Sequence, residues 1–220
     1  MVEHFHPYKP FIKQDTKRII VGTLPPPRFC NKEFKPNDVD FCYGSADGLL
    51  WKSLDVIFDL KLEYKNTKEE IQKRKSFLIS KKIGVCDIVN SCKREKIDAS
   101  DLGMTNVILR DILKYLVEYK TIQTIIFTSG NSKNGPEYFL RQILKKEKIE
   151  FNIISKKIPK VHSFIFDNRE IQTISLTSPS NVANRFIGSN SFYKEQKKKN
   201  PKYTTFDFRV EQYRKVFLKN

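Results

Sequence analysis

Lys17-Arg18-Ile19-Ile20-Val21-Gly22-Thr23, running into Leu24-Pro25-Pro26-Pro27, is the stretch on which the fold reading turns. A short apolar run bounded by turn residues reads as a buried strand. The three prolines that follow stop regular structure and stiffen the next loop, because each fixes φ and lacks an N–H.

Working outward, the same pattern recurs. Ile83-Gly84-Val85-Cys86-Asp87-Ile88-Val89 reads as a second strand, and Thr121 to Phe127 as a third, ending at Ser129-Gly130-Asn131. Ile171 to Leu176 is a further strand, followed by Thr177-Ser178-Pro179-Ser180-Asn181, and Phe151 to Ile154 is a short candidate. Leu50, Leu54, Ile57 and Phe58 give helical periodicity over Leu49 to Leu60. Further helices are expected at Lys68 to Ile79, Asn106 to Val117, Glu137 to Lys146 and Val210 to Leu218. Strands alternating with helices at this spacing predict an α/β fold: three layers, α/β/α, around a central, mostly parallel four-stranded sheet. The 220 residues suit one domain over 1–220, with residues 1–16 as an N-terminal arm. No internal repeat or Gly/Ser linker divides it.

Charge bounds the partner. Lys and Arg number 41 against 25 Asp and Glu, a formal net charge of +16. Such a surplus implies attraction to a polyanion through phosphate contacts that release counterions. The competing explanation is a Lys-, Asn- and Ile-rich composition of the kind an AT-rich genome produces. A membrane is the weaker partner: no apolar run approaches the roughly 20 residues needed to span a bilayer. No basic amphipathic helix with an aromatic face stands out either. Met1-Val2-Glu3-His4-Phe5 lacks the basic start and apolar stretch of a signal peptide, so a soluble, cytoplasmic protein is expected. The four cysteines, Cys30, Cys42, Cys86 and Cys92, form no C-x-x-C pair. Neither a metal nor a cofactor is expected, and the thiols read as small buried hydrophobes.

In sheets of this type, ligands bind beyond the carboxyl ends of the strands. Three strands here end in unusual polar or Pro-rich loops, after Gly22, around Asp87 and after Leu176. Their convergence is the argument for one site.

These loops, in this order, resemble the uracil-DNA glycosylase superfamily, and most nearly its hypoxanthine-DNA and mismatch-specific branch. Val21-Gly22-Thr23-Leu24-Pro25 is similar to the family's strand-to-loop motif of Gly, two residues and Pro. Tyr43-Gly44-Ser45-Ala46-Asp47-Gly48-Leu49-Leu50-Trp51 resembles its Tyr-Gly segment before a helix. Ile83 to Val89, followed by Ser91-Cys92, Arg94 and Asp98, is a third match. Leu176-Thr177-Ser178-Pro179-Ser180-Asn181 is similar to the second signature loop, and the arm His6-Pro7-Tyr8-Lys9-Pro10 also fits. The matches span nearly the whole chain. Two departures stand out. Leu24 occupies the position where the family often carries Asp, Asn or Glu to act on water, and Asp47-Gly48 replaces the Asn that precedes the aromatic pair.

The resemblance implies a monofunctional DNA glycosylase that binds double-stranded DNA as a monomer, nucleoid-associated through that binding. It would flip a nucleotide out of the stack, since the glycosidic bond is inaccessible within it. No lysine is placed by motif for a Schiff base. The sugar becomes oxocarbenium-like as the base leaves, so a nearby carboxylate stabilises it and orients water. Asp47 is the candidate, with Asp40 as substitute; the competing reading of Asp47 is a helix N-cap. Ser178 is the candidate donor to the departing base, against an ordinary Ser-Pro turn. Gly22, Thr23 and Leu24 would line the base pocket. Asp87 would read the base edge, favouring one that presents N–H, or else be structural, paired with Arg94 or capping a turn. Phe41 or Tyr43 would stack on the base, or either belongs to the core.

Ser180, Asn181, Val182, Asn184 and Arg185 follow the second motif. Val182 or Asn184 would fill the gap left by the flipped base, and Arg185 would hold phosphate. Lys194 and Lys197-Lys198-Lys199 would grip the backbone, or form a solvated loop. His162 reads as structural. The substrate is either a deaminated base, uracil or hypoxanthine, in repair, or a modified cytosine, which points to defence against phage. Small residues Ser45, Ala46 and Gly48 suggest a roomier pocket for the latter. A binder that kept the fold and lost the chemistry is the alternative that Leu24 supports. An enzyme acting on free nucleosides fits the loops but not the charge, and no Walker-type loop supports phosphoryl transfer.

Overall fold

A computed structural model describes residues 2–94 and 101–218. Asp98 lies outside the described residues. The first parallel strand, β2 (Arg18–Val21), follows a terminal strand β1 (Val2–Phe5). Ile19 and Val21 point into one core with Ile125 and Phe127, and Ile20 points into another with Ile126. Successive side chains of a strand face opposite ways, so a run apolar at every position must be covered on both faces. The covers are helices. One face takes α2 (Leu50–Phe58), α3 (Lys68–Ser80) and α8 (Thr205–Phe217), through Leu50, Trp51, Leu54, Phe77, Leu78 and Tyr213. The other takes α4 (Ile112–Glu118) and α5 (Pro136–Lys146), through Ile112, Leu116, Leu140 and Leu144.

The sheet has six strands, not four. Its order is β3-β2-β6-β9-β8-β7, where β3 is Ile83–Val85, β6 Thr124–Phe127, β7 Asn152–Ser155, β8 Lys160–Phe166 and β9 Arg169–Ser175. The first four are parallel, as expected, and β8 and β7 extend them antiparallel. The hairpin between β8 and β9 turns on Asp167 and Asn168, with φ of 50° and 55°. Two successive left-handed residues, Asp and Asn among those that tolerate them, match the twist of paired strands.

Two segments depart from the sequence reading. The run Ile83 to Val89 is not one strand: β3 stops at Val85, and β4 (Val89–Arg94) joins a separate antiparallel sheet, β1-β4-β5. Between them, Cys86, Ile88 and Val89 donate to the carbonyls of Ile20, Gly22 and Thr23, so the chain bends without leaving the end of β2. Asn106 to Val117 is not one helix. It divides into β5 (Met104–Leu109), paired to β4, and α4, whose N-cap Asp111 accepts from the Lys114 amide at 2.9 Å. That cap and a β-branched run before it separate the two elements.

Three short helices complete the chain: α1 (Pro27–Cys30) after the prolines, then α6 (Asn184–Ser189) and α7 (Ser191–Lys199). The Lys197–Lys199 run forms the last turn of α7, where cations suit the carboxyl end of the helix dipole, and is not a loop. Among the described residues no helix is long and apolar enough to cross a membrane.

Candidate functional site

At the carboxyl ends of the parallel strands lies a cavity of about 260 Å³, walled by Thr23 to Pro26, Tyr43 to Ser45, and Ser178 to Ser180. Asp47 and Gly48 stand in the same wall, and Asp87, Asp101 and Thr128 also line it. The three loops singled out by sequence therefore meet.

Asp87 is 8% exposed and lies where the chain leaves the main sheet. Its Oδ1 accepts from the Gly22 amide at 3.2 Å and from the Tyr43 hydroxyl at 2.8 Å, while Oδ2 lies 3.0 Å from His6 Nε2. Nδ1 of the same ring accepts from the Tyr8 amide, so the ring proton sits on Nε2 and is donated to Asp87. Burial would raise the Asp87 pKa, but the hydrogen bond from His6, then the Tyr43 bond and the Arg110 charge, hold it below the ordinary carboxylate value. A carboxylate offers about four acceptor sites, so three donors leave one for a ligand. Arg94 is not among these partners.

Two backbone features make this packing possible. Gly22 has no room for a side chain: a Cβ there would meet the Tyr43 hydroxyl at 2.5 Å and Asp87 Oδ1 at 2.7 Å. Tyr43 itself sits at φ 58°, uncommon for an aromatic residue.

Asp101 enters the cavity from a 3-10 turn, Asp101–Gly103, that precedes β5. Its Oδ2 accepts from Thr23 Oγ1 at 3.0 Å. The Asn134 amide fixes the turn by donating to the carbonyls of Asp101 and Met104 at 3.0 and 3.1 Å. Burial pushes the Asp101 carboxyl up to about 6; the Thr23 bond and the Arg94 charge oppose this, and the Asp87 charge adds to it.

Asp47 does not cap α2, whose N-cap is Leu49. Its side chain is 63% exposed and lies 3.3 Å from both Arg28 and Lys35. Arg28 is fixed by buried Asp38 through bonds of 2.7 and 3.0 Å, and also donates to Ser45 Oγ at 2.7 Å. Asp40 does not line the cavity; it accepts from Tyr8 and Lys32.

The Ser178 loop is held from behind by α8. Arg209, fully buried, donates to the carbonyls of Ser178 and Ser180 at 2.9 and 2.6 Å and to Asn184 Oδ1 at 2.9 Å. Gln212 pairs with both the amide and the hydroxyl of Thr177, and the Tyr213 hydroxyl donates to its carbonyl. From the other side, the Leu49 amide donates to Pro179 O. Ser180 caps the turn Asn181–Ala183, and at its tip Val182 is 88% exposed. Arg185 is exposed on α6, and Lys198 on α7.

Some expected residues are elsewhere. Phe41 does not reach the cavity: it packs in the core, its ring 6.0 Å from Phe11 and 6.2 Å from Trp51. Phe29 lines the cavity in its place. Tyr43 lines the cavity too, and its hydroxyl is committed to Asp87. Lys197 is tied to the carbonyls of Pro201 and Tyr203. His162, buried, stacks on Phe151 at 4.6 Å and meets Arg141, a structural setting. Cys42, Cys86 and Cys92 are buried.

The sequence reading did not single out Asp101, Arg28, Asp38, Thr128 or Arg209. His6 was noted only as part of the arm. A histidine flanked by a rigid Pro was the available signal for it; the others carry no local signature.

The sequence matches no known family model, and no curated protein is significantly similar. A solution NMR structure from Methanosarcina acetivorans, of a protein provisionally named a uracil DNA glycosylase, shares the fold. At 17% identity, the match covers 96% of this chain and 99% of that one, with a TM-score of 0.54.

Proposed function

We propose that this protein is a monofunctional DNA glycosylase that takes one flipped nucleotide into the cavity and hydrolyses its N-glycosidic bond, leaving an abasic site. The observation that carries the reading is a small cavity with buried Asp87 in its wall, beside a loop whose tip, Val182, is almost wholly exposed. At about 260 Å³ it is smaller than the roughly 300–1,000 Å³ of drug-sized ligand sites, which suits a single base. An apolar side chain bared to water beside such a cavity suits insertion into a base stack. The +16 charge supports duplex DNA as the partner.

In this reading Asp87 accepts from an N–H on the base edge through its remaining lone pair, and Thr23, Leu24 and Phe29 enclose the ring. Ser178 donates to the departing base, and Asp47 stands at the rim as the carboxylate nearest solvent. Ser180, Asn181 and Asn184 shape the wedge loop under Val182, while Arg185 and Lys198 hold phosphates. Acceptance from an N–H favours an amino-bearing base, such as a modified cytosine, over uracil, whose O4 would face a carboxylate. A role in defence against phage DNA follows from that preference, and repair of deaminated bases from its opposite.

The test is a panel of duplexes carrying uracil, hypoxanthine, thymine mismatches, and hydroxymethylated or glucosylated cytosine, incubated with protein and cleaved with alkali. Strand breaks at one modified base are expected. Tight binding without a break at any base would favour a second reading, an inactive DNA-binding protein, for which Leu24 at the water-directing position is the specific support.

A further inference from the structure

We propose that Asp101 is the carboxylate that activates water, supplying from a different segment what Leu24 cannot; this rests on the glycosylase reading above. Leu24 follows Thr23 at the end of β2, and Thr23 Oγ1 is the group that binds Asp101 Oδ2 at 3.0 Å. The acid therefore arrives beside the vacant position, carried by the turn before β5 and not by the motif itself. Among the described residues its other oxygen, Oδ1, has no hydrogen-bond partner, and the residue lines the cavity.

The other carboxylates near the cavity are less suited. Asp87 is held by three donors and is pulled toward a weak base. Asp38 is saturated by Arg28 and by the amides of Lys35 and Ala46. Asp47 is exposed, with Arg28 and Lys35 offsetting its charge. Among the described carboxylates, Asp101 alone combines a place in the cavity wall, a free oxygen and a basicity near neutrality, about 6, where a general base works best. The divergence of Asp87 and Asp101, one pulled down and one pushed up, separates a recognition carboxylate from a proton acceptor.

The step balances without a co-reactant. As the C1′–N bond breaks, its electron pair leaves with the base. A water oxygen bonds to C1′, and the proton it sheds passes to Asp101 Oδ1. The base, held by a hydrogen bond from Ser178, takes a proton from solvent, Asp101 returns its own to solvent, and the products are the free base and the 1′-hydroxyl sugar.

The experiment measures single-turnover release of whichever base the wild-type protein excises, for wild type, Asp101→Asn and Asp101→Glu, together with duplex binding. Asn retains the acceptor for Thr23, so the variant is expected to fold and to bind duplex within about twofold of wild type, with the rate down about 100-fold or more, as for loss of a general base. Asp101→Glu is expected to recover part of the rate. The wild-type rate is expected to rise with pH and level off with a midpoint near 6, and Asp101→Asn to lack that limb. Asp101→Asn cutting within threefold of wild type, or keeping the limb, overturns this inference alone. A wild-type protein that releases no base from any duplex overturns the glycosylase reading, and this inference with it.

Discussion

Arg209 Nε and the Ser178 carbonyl are joined by a 2.9 Å hydrogen bond that ties the last helix to the loop closing the cavity. The same guanidinium reaches the carbonyls of Ser180 and Thr205 and the Asn184 side chain. A fork of fixed donors can serve four acceptors at once, and an ammonium cannot. Arg209→Lys should therefore leave part-buried carbonyls unpaired, at up to about 1–3 kcal/mol for each one. The expected result is a lower Tm and an excision rate reduced by about 10- to 100-fold, since small misplacements of a site are costly. Thermal unfolding and single-turnover kinetics check both; an unchanged rate would show that the loop holds its shape without Arg209.

Gly22→Ala tests how closely the end of β2 approaches the site. The added methyl would meet the Tyr43 hydroxyl and Asp87 Oδ1 at under 3 Å. One of the two must shift, breaking the Tyr43–Asp87 bond of 2.8 Å. Overpacking of this kind costs about 1–3 kcal/mol. The expected variant is folded, with a reduced Tm and little excision, while duplex binding through the exposed cations persists.

Asp87 gives a pH signature of stability. Its folded pKa lies below the unfolded value of 3.8. Its contribution is therefore present above about pH 4 and lost as pH falls through the depressed value. Asp101 has the opposite sign: raised to about 6, it favours the folded state most below its unfolded value of 3.8, and that support fades as pH rises through 6. Asp87→Asn should lower Tm at pH 7 by more than at pH 3, and Asp101→Asn should raise Tm at pH 7.5 relative to pH 4. Scanning calorimetry of both variants across that range checks the signs.

Much of this was readable before the structure. Ile19, Ile20 and Val21 marked a strand covered on both faces because three successive positions in it are apolar. The loops after Gly22 and Leu176 announced themselves through Pro and Ser-Pro. What stayed hidden was set by distance in the chain. Nothing local distinguishes Val85 as the last residue of one sheet from Val89 as the first of another; the break comes from hydrogen bonds to the end of β2, more than 60 residues earlier in number. Asn106 to Val117 fitted a helical period, yet pairing with β4 and the Asp111 cap divided it. The strand β8 was missed although Asp167-Asn168 carried its turn signal. In the site, Asp47 looked like the acid because it sits in a motif, and it proved exposed and ion-paired. Asp101 reaches the cavity, and Arg209 the back of the loop that walls it, by tertiary contacts alone, which periodicity and motif spacing do not encode.

On the proposed function, Val182 separates base flipping from chemistry. It is 88% exposed, so Val182→Ser removes almost no packing and should leave Tm within about 1 °C, as surface changes usually cost under about 0.5 kcal/mol. A side chain that fills the space of an extruded base acts only where a stack exists to be filled. Excision from duplex DNA should accordingly fall about tenfold, while excision of the same base from a single strand stays near the wild-type rate. Equal losses on both substrates would place Val182 in the pocket's support and not in the wedge. No loss on either would move the wedge to Asn184 or to the half-exposed Phe186 on α6.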